Sequence, residues 1–512
     1  MRSLLSFAIL AAASVHQAVG QTTIRPPSQD AVAAARLQLS GARTTNILKD
    51  IPGLIPYPTV VADASNSSGL PLDNIQGDIL VGMKKHEQQF LFFSINNPKS
   101  FKLKLRTLVA PFITSAKQLM NVKTQPIVAL NLAFSQTGLT TLNVTDDLGD
   151  AVFTKGQFAD ATNLGDPGTD NWKPAFKGTS VHGVFLMASD SKALIDVMEL
   201  FLVGIFLKDI TVQHTLLGNV RPGSEAGHEM FGWLDGIAQP SIPAFQAPFP
   251  GQQVVDPGVI LVGETGDPVT RPAWAKDGSF LAFRQLQQLV PEFHGFLNAS
   301  APAVPGLTQP QSADLLGARM VGRWKSGAPI DNFPTADAPG VGADPMQNNN
   351  FNFAHDGFDI TTDQSHCPFD AHIRKTRPRA DLVAPANSIM RSGIPYGPEV
   401  TSAELVSGKS DPSDSKNERG LAFVAYQAQL AKGFQFLQHS WANNPNFVFG
   451  KNVKPGHDPI IGANGGLPRN MSGFDIADTT QSLQLPADWI RSRGGEYFFS
   501  PSISAIKTVI AV

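Results

Sequence analysis

Short apolar stretches with the composition of β-strands recur along the chain. They are rich in β-branched and aromatic residues and are separated by polar, glycine- and proline-containing segments. The pattern predicts strands at 90–95, 127–134, 183–189, 209–216, 279–286 and 421–427. Asp190 and Ser191 stand before a stretch, 192–202, whose apolar positions suit an amphipathic helix, so a helix is predicted to begin there.

The two halves of the chain share one pattern. In each half an apolar strand with paired phenylalanines precedes a helical pattern. The likeness falls short of a sequence repeat, but it favours an α+β fold with two halves, each an antiparallel sheet with helices on one face. Residues 330–366 carry little regular pattern, and so long a loop in a compact chain is usually functional.

Composition narrows the class of protein. The 512 residues are 42% hydrophobic and 16% charged, which is ordinary for a globular protein with a large core. The net charge is -3 and there is no long basic block, so nucleic acid is not expected as a partner.

The N-terminal residues predict secretion. A short basic start, an apolar run too short to span a bilayer and a small-residue site predict a signal peptide at 1–20, with no membrane anchor. Residues 21–62 are interpreted as a pro-segment or N-terminal arm. Acceptor sequons for N-glycosylation begin at Asn66, Asn143, Asn298 and Asn470. Cys367 is the single cysteine, so stability must come from the core, with a tightly held cofactor as a contributor.

One ionisable residue lies in an unusual setting. Asp235 stands in the turn "GWLDG" (232–236) among apolar neighbours. The flanking glycines permit a backbone that other residues avoid, which would aim the carboxylate at a fixed point. Taken alone, the turn is more typical of an aspartate that caps its own backbone.

A second candidate is the stretch "SHCPFDAHIRKTRPR" (365–379). His366, Cys367 and His372 partly resemble a copper site, but the 11 histidines include no His-x-His pair of the kind a multicopper oxidase needs. The competing hypothesis is that His372 is the one axial histidine of a haem and that the arginines bind its anionic propionates. A buried cysteine beside a surface basic turn is the plainest interpretation.

Two further segments carry charged residues next to apolar runs. Arg391, in "SIMRSGIPYGPE", is either a solvated loop residue or a fixed cation. Glu418 precedes a predicted buried strand, where it either caps the strand or accepts the Nδ1 proton of a ligating histidine. Leu421 and Phe423 share one face of that strand by the period of two.

Together these motifs resemble the fungal-type dye-decolorising peroxidases. The likeness rests on the Gly-x-x-Asp-Gly turn, "CPFDAHIRKTRPR", "MRSGIPYGPE" and "ERGLAFVAYQ", with "NIQGDIL", "FRQLQQ" and "GRWKSGAP" also in order. It extends from about residue 70 to the C-terminus. The resemblance implies two ferredoxin-like domains, at 63–278 and 279–512, in a dimeric α+β barrel-like fold. It also implies one haem b per chain, held mainly by the C-terminal half.

The resemblance also assigns roles to individual residues. It makes His372 the proximal haem ligand, Asp235 the distal acid–base and Arg391 its charge-stabilising partner. Glu418 would hydrogen-bond the proximal histidine. The remaining matches are Leu421 and Phe423, which line the distal side, and Trp441. Trp441 matches a surface tryptophan used for electron transfer in some relatives and would relay electrons if it is exposed; the alternative is core packing. Asp370 departs from the family pattern, where a small or neutral residue is expected, so it either tunes the proximal field or faces solvent.

The implied activity is that of a secreted, monomeric peroxidase. It would use hydrogen peroxide to oxidise bulky aromatic donors, such as dyes and phenolics, in one-electron steps. A guanidinium beside Asp235 would keep that carboxylate ionised, so activity is expected to persist at acid pH. The alternative is a non-peroxidase haem-binding or haem-handling protein of the same fold superfamily.

Overall fold

The computed structural model describes residues 69–512, apart from residue 84, residues 121–123 and residues 412–414. The predicted signal peptide, the predicted pro-segment and the sequon at Asn66 lie outside these described residues. Among the described residues, no helix is both long and apolar enough to cross a membrane.

Antiparallel strands form the framework of the molecule. A nine-stranded sheet and a two-stranded hairpin lie within the described ranges. The strands are β1 (Glu87–Ile95), β2 (Ala129–Phe134), β3 (Gly183–Ser189), β4 (Ile210–Asn219), β5 (Ser279–Gln288), β6 (Met390–Arg391), β7 (Ile394–Tyr396), β8 (Gly420–Gln427), β9 (Arg469–Ser472), β10 (Ser482–Leu485) and β11 (Ile490–Ser500).

Short helices connect these strands. The α-helices are α1 (Gly77–Leu80), α2 (Pro98–Lys104), α3 (Ala116–Leu119), α4 (Gln136–Thr141), α5 (Ala151–Lys155), α6 (Gln157–Asp160), α7 (Lys192–Phe206), α8 (Val290–Ser300), α9 (Gln309–Val321), α10 (Pro339–Gly342), α11 (His372–Thr376), α12 (Ser402–Ser407), α13 (Phe434–Phe436) and α14 (Ile503–Ala505). Helices α2, α13 and α14 continue as π-helical turns at Leu105–Val109, Leu437–Ala442 and Ile506–Ile510. Single 3₁₀ turns lie at Ala110–Phe112, Pro174–Phe176, Leu207–Asp209, Gly223–Glu225, Pro257–Val259, Ala273–Ala275, Arg379–Asp381 and Ser415–Asn417.

Each half has ferredoxin-like topology. The first four strands lie in the order β2-β3-β1-β4, with α2 after β1 and α7 after β3. In the second half the order is β11-β5-β8, with the short strands β6 and β7 beyond β8. The predicted α+β class with two ferredoxin-like units is therefore confirmed.

The two halves join into one closed barrel. β11 pairs with β2 through Phe499 and Phe134, and β4 pairs with β7 through Gly218 and Tyr396. Because β5 also pairs with β8, the sheet has no break around the circuit. Whether the domain boundary falls at residue 278 stays a prediction.

Alternation along β1 shows how the core is built. Phe90 and Phe92 pack in one cluster with Phe283 of β5, whereas Leu91 and Phe93 pack in a second cluster with Phe206 of α7. The first cluster fills the barrel, and the second lies between the barrel and its helices. Because both faces of the strand are covered, its sequence is nearly continuous in apolar residues rather than alternating.

The predicted strands are confirmed with small shifts of their ends. The strand predicted at 183–189 has those bounds, and β2 begins two residues later than predicted, beyond the half-exposed Ile127. The helix predicted to follow Ser191 is α7. Residues 330–366 form a long loop that contains only the single-turn helix α10, as expected.

Candidate active site

A cavity of about 670 Å³ lies against the outer face of the second-half strands. Alternate residues of β5 and β8 line it, while their neighbours Phe283, Ala422 and Val424 pack inside the barrel. The prediction that Leu421 and Phe423 share a face is confirmed, since both line this cavity. Most of the lining residues come from the second half.

Predicted site residues from distant parts of the sequence meet in this cavity. Asp235, from the glycine-bracketed turn, lies in its wall with His372 of α11 and Arg391 of β6. Trp441 also lines it, at the π-helical turn that follows α13. Glu418 is absent from the lining.

The turn around Asp235 depends on its two glycines. Gly232 and Gly236 have φ values of 98° and 81°, in the left-handed region that favours glycine. A β-carbon at either position would meet nothing within 4 Å, so backbone conformation rather than space requires glycine there. The Asp235 N–H donates to the Gly227 carbonyl at 3.0 Å, which fixes the residue within the turn.

One oxygen of the Asp235 carboxylate both caps the local backbone and points toward a fixed partner. Its Oδ1 accepts the backbone N–H of Gly236 at 2.6 Å, and the same oxygen accepts Nη1 of Arg391 at 2.6 Å. Burial alone would raise the pKa of Asp235, but the charge and hydrogen bond of Arg391 outweigh it, and the pKa lies below its ordinary value. The carboxylate is therefore ionised in acid solution and faces the cavity with a fixed cation beside it.

His372, the first residue of α11, has an ionised partner on its Nδ1. That atom lies 2.8 Å from Oδ2 of Asp458, a fully buried carboxylate. Oδ1 of Asp458 accepts the N–H groups of Ile460 and Ile461 at 2.8 and 2.9 Å. Burial would raise the pKa of Asp458, but His372 and these N–H donors hold it below its ordinary value. The Nδ1 proton is thus held by Asp458, which leaves the lone pair of Nε2 available to bind a metal ion.

The prediction that Glu418 hydrogen-bonds His372 is wrong. Glu418 accepts Tyr396 and Gln285 on one oxygen, at 3.0 and 2.8 Å, and pairs with Lys173 and Arg493 on the other, at 2.8 and 3.3 Å. The period of two explains the error. Glu418 lies two residues before β8, and continuing the alternation of that strand places it on the face opposite Leu421 and Phe423.

Sequence reasoning missed Asp458 altogether. It lies 86 residues after His372, at the start of the segment "DPIIG". An aspartate before a proline reads as a local turn residue, and Asp458 does cap the N–H groups that follow it. Nothing in its local sequence indicates that its second oxygen reaches a histidine so distant in the chain.

Three arginines at one side of the cavity have no carboxylate partner among the described residues. Arg323, Arg377 and Arg379 donate to neutral backbone and amide oxygens, and Nε of Arg377 is buried without a hydrogen-bond partner. Burial lowers the pKa of Arg323 to about 9, with the charges of Arg391 and Arg377 adding to the effect. Burial also lowers the pKa of Arg377 to about 10. Such a cluster of buried positive charges suits a ligand with anionic side chains, such as the propionates of haem.

The loop 330–366 supports these arginines. Asn349 accepts Arg323 on its side-chain oxygen at 2.8 Å and Arg379 on its backbone oxygen at 3.0 Å. The guanidinium of Arg379 lies 3.7 Å from the ring centroid of Phe351. The long loop was expected to be functional, and its contacts hold these arginines in the wall of the cavity.

Trp441 is not a surface residue. Its side chain is only 3% exposed, and its ring stacks on Phe447 with centroids 4.8 Å apart and planes 3° apart. The ring of Phe447 in turn contacts Phe449, which is exposed at the surface. Of the two alternatives, Trp441 is a packed residue rather than an exposed one, and it lies in the cavity wall.

The other residues of the "SHCPFDAH" segment lie outside the cavity lining. His366 pairs with Asp363 at 3.0 Å and stacks on His355. Cys367 is fully buried, and burial raises the pKa of its thiol, which keeps it protonated. Among the described residues, no group of three or more His, Cys, Asp or Glu side chains is placed to hold a metal ion.

Asp370 does not face solvent. It is fully buried, and its Oδ2 accepts the backbone N–H of Ser472 at 2.8 Å. Burial raises its pKa well above the ordinary value. The alternative in which Asp370 is a solvated surface carboxylate is therefore wrong.

Comparisons with known proteins agree with this fold. The domain family described as "DyP dimeric alpha+beta barrel domain" matches residues 74–222, and "Dyp-type peroxidase, C-terminal" matches residues 259–447. A dye-decolorizing peroxidase of Exidia glandulosa is 58% identical over 92% of this chain and 93% of its own length. AauDyP1 of Auricularia auricula-judae is 56% identical over 93% of each chain. The crystal structure of AauDyP with imidazole is 57% identical, with a TM-score of 0.84 over 86% of this chain and all of that one.

Proposed function

Because the chain belongs to the family of dye-decolorising peroxidases, and is itself a peroxidase, we propose that it oxidises bulky aromatic donors, dyes and phenolics, in one-electron steps. The alternative of a non-peroxidase haem-binding or haem-handling protein is set aside, since the relatives at this identity are named peroxidases. One observation carries the proposal. The Asp235–Arg391 ion pair lies in the same cavity as His372, whose Nδ1 is bound to a buried carboxylate.

Haem is the cofactor that the family uses, and the cavity residues fit it. His372 would be the iron ligand, in one haem b per chain, and Arg323, Arg377 and Arg379 would hold the propionates. When bound, histidine-ligated haem supplies the redox chemistry that couples peroxide reduction to donor oxidation. Asp458 fixes the tautomer of His372 and increases the electron donation of its Nε2, because the Nδ1 proton is shared with a buried anion.

Asp235 would act as the acid–base group. It would take a proton from hydrogen peroxide and return it to the oxygen that leaves as water. A base must be unprotonated to begin this sequence, and the lowered pKa of Asp235 keeps it so at pH values where a histidine would be protonated. Both Gly236 and Arg391 donate to Oδ1, so Oδ2 is the oxygen proposed to carry the proton.

Arg391 would serve this proton transfer in two ways. Its charge keeps Asp235 ionised, and it stabilises negative charge that develops on the departing oxygen. Because its guanidinium is held at 2.6 Å by Asp235, it requires little reorganisation during the reaction.

Trp441 would pass electrons from bulky donors that cannot enter the cavity. It lies in the cavity wall, and its stacked contact with Phe447 continues to the exposed ring of Phe449. Small phenols would not depend on this route.

Secretion, glycosylation and a monomeric state belong to the same proposal. The predicted signal peptide supports secretion. The sequon asparagines Asn143, Asn298 and Asn470 are all exposed, as glycosylation requires.

Steady turnover tests the proposal. The haem-reconstituted protein, supplied with hydrogen peroxide, is expected to bleach an anthraquinone dye over many cycles. Haem binding without dye turnover would contradict it.

A further inference from the structure

The strand that carries Arg391 is very short and makes few backbone hydrogen bonds of its own. β6 has only two residues, Met390 and Arg391, and lies at the edge of the sheet. Its one strand neighbour is β8, with Arg391 opposite Ala425. An edge strand leaves one row of backbone N–H and C=O groups without a strand partner. For Arg391 those groups must be held by something else.

A side chain takes the place of the missing strand. Nε2 of Gln239 donates to the carbonyl oxygen of Arg391 at 2.7 Å, and Oε1 of Gln239 accepts the N–H of Arg391 at 3.0 Å. An amide side chain thereby makes the two hydrogen bonds that an adjacent peptide group would make. Gln239 is itself anchored, because Nε2 of Gln252 donates to its carbonyl oxygen at 3.0 Å.

Gln239 and Asp235 belong to one segment of chain, four residues apart. The segment therefore contacts both the side chain and the backbone of Arg391. Asp235 binds the guanidinium, and Gln239 binds the backbone. We propose that Gln239 is a positioning residue that locks the backbone of Arg391 to the Asp235 turn and so sets the geometry of their ion pair. This inference rests on the proposed roles of Asp235 and Arg391.

The remaining support of this region does not replace Gln239. Ser392 donates its N–H to Val424 and its hydroxyl to Asp78, at 2.9 and 2.6 Å. These bonds hold the residue after Arg391 in the sheet. Loss of Gln239 would therefore loosen the Arg391 amide while the sheet stays paired, a local change rather than unfolding.

The consequence falls on the charge of Asp235. The charged or titratable groups that act on it are Arg391 and His372, which favour its ionised form, and Glu229, which feels its charge as repulsion. Of these three residues, Arg391 is the one that forms a direct ion pair with Asp235 in the described part of the chain. If Arg391 moves away from Asp235, burial becomes the largest influence on the pKa of Asp235. Burial favours the protonated acid, so that pKa rises.

The test uses the haem-reconstituted enzyme with Gln239→Met, which keeps the length of the side chain and removes both hydrogen bonds. The rate of reaction with peroxide is measured against pH by stopped flow. We expect the acid limb to move up by about one pH unit, with an approximately tenfold slower reaction below it. A crystal structure of the variant should show Asp235 Oδ1 and Arg391 Nη1 farther apart than 2.6 Å.

Gln246→Met is the matched control. Gln246 lies in the same loop, and it holds Ser241 through its backbone carbonyl rather than its side chain. Its pH profile should equal that of the wild type. Gln239→Asn, which keeps the amide but shortens it, should shift the acid limb in the same direction and covers the case in which the methionine variant does not fold.

An unshifted acid limb in folded Gln239→Met or Gln239→Asn protein would overturn the inference. Asp235→Asn separates this failure from failure of the proposed function. If that variant still reacts with peroxide at the wild-type rate, the proposed role of Asp235 fails. If it is slow while the Gln239 variants match the wild type, only the role of Gln239 fails.

Discussion

Arg391 and Asp235, 156 residues apart in the chain, meet through a single hydrogen bond of 2.6 Å between Nη1 and Oδ1. The contact joins the glycine-bracketed turn of the first half to the edge strand of the second. Neither side chain is fully covered, with 26% and 33% of their surfaces accessible. A fixed cation thus keeps an ionised acid at the wall of a cavity, which is the arrangement a proton-transferring group requires.

Replacing Asp235 by asparagine should remove the base and keep the shape. We expect the rate of reaction with peroxide to fall by about 10²- to 10⁴-fold, because the amide cannot accept the proton. Haem binding, measured by absorbance, should be unchanged since Asp235 is not the proposed ligand. A wild-type rate in this variant would exclude Asp235 as the acid–base group.

Replacing Arg391 by leucine should move the pH dependence in a defined direction. Burial raises and Arg391 lowers the pKa of Asp235, so its pKa should rise when Arg391 is removed. The acid limb of the peroxide reaction would then shift to higher pH, and activity at acid pH would be lost first. Stopped-flow rates across the acid range measure this, and a limb that stays in place would show that Arg391 does not control Asp235.

Asp458 and Glu418 can be compared directly. Asp458→Asn should weaken haem retention by about 10- to 100-fold, since it removes the anion bound to Nδ1 of His372. Glu418→Gln should leave the haem spectrum as in the wild type, because Glu418 contacts Lys173, Arg493, Tyr396 and Gln285 instead. The reverse ranking in a haem-transfer assay would contradict the assignment of Asp458.

Trp441→Phe should reduce oxidation of an anthraquinone dye more than oxidation of a small phenol. Phenylalanine preserves the stacking on Phe447 but removes the oxidisable indole. Trp489→Phe is the control, because Trp489 is equally buried but packs against Phe293 and Phe296, away from the cavity lining. Equal losses on both donors in Trp441→Phe would indicate a packing role.

Stability should increase as the solution becomes more acidic in one pH window. Glu496 is buried in β11, and within the described part of the chain its carboxylate accepts the N–H groups of Gln157 and Tyr497 alone. Burial raises its pKa from 4.5 to about 7. Its ionisation therefore opposes folding, and stability falls as pH rises from about 4.5 to about 7. The effect is at most about 3 kcal/mol. Glu496→Gln should unfold at a higher temperature than wild type at pH 8 and show no such gain at pH 4; equal differences at both would contradict this origin.

Six of the eleven strands in the described residues, and helix α7, could be predicted from local pattern, whereas β11 was not predicted. Strands such as β3 and β8, and helix α7, follow directly from runs of apolar residues and from Ser191. The closure of the two sheets into one barrel could not be predicted this way. It depends on pairings such as Phe499 with Phe134, which join residues far apart in the sequence.

The roles of the site residues were implied by the family resemblance, and local pattern alone gave less. The two glycines indicate the Asp235 turn, and the period of two puts Leu421 and Phe423 on one face of β8, which lines the cavity. The same period could have excluded Glu418. Asp458 and Gln239 could not be found, because each acts through a contact to a residue more than 80 positions away.

The most informative measurement is the absorption spectrum of the haem-reconstituted protein before and after one equivalent of hydrogen peroxide. We predict a Soret band of histidine-ligated ferric haem that changes promptly on addition of peroxide and returns when an aromatic donor is added. The change should become slow in Asp235→Asn. A protein that takes up no haem, or whose Soret band peroxide leaves unchanged, would contradict the account.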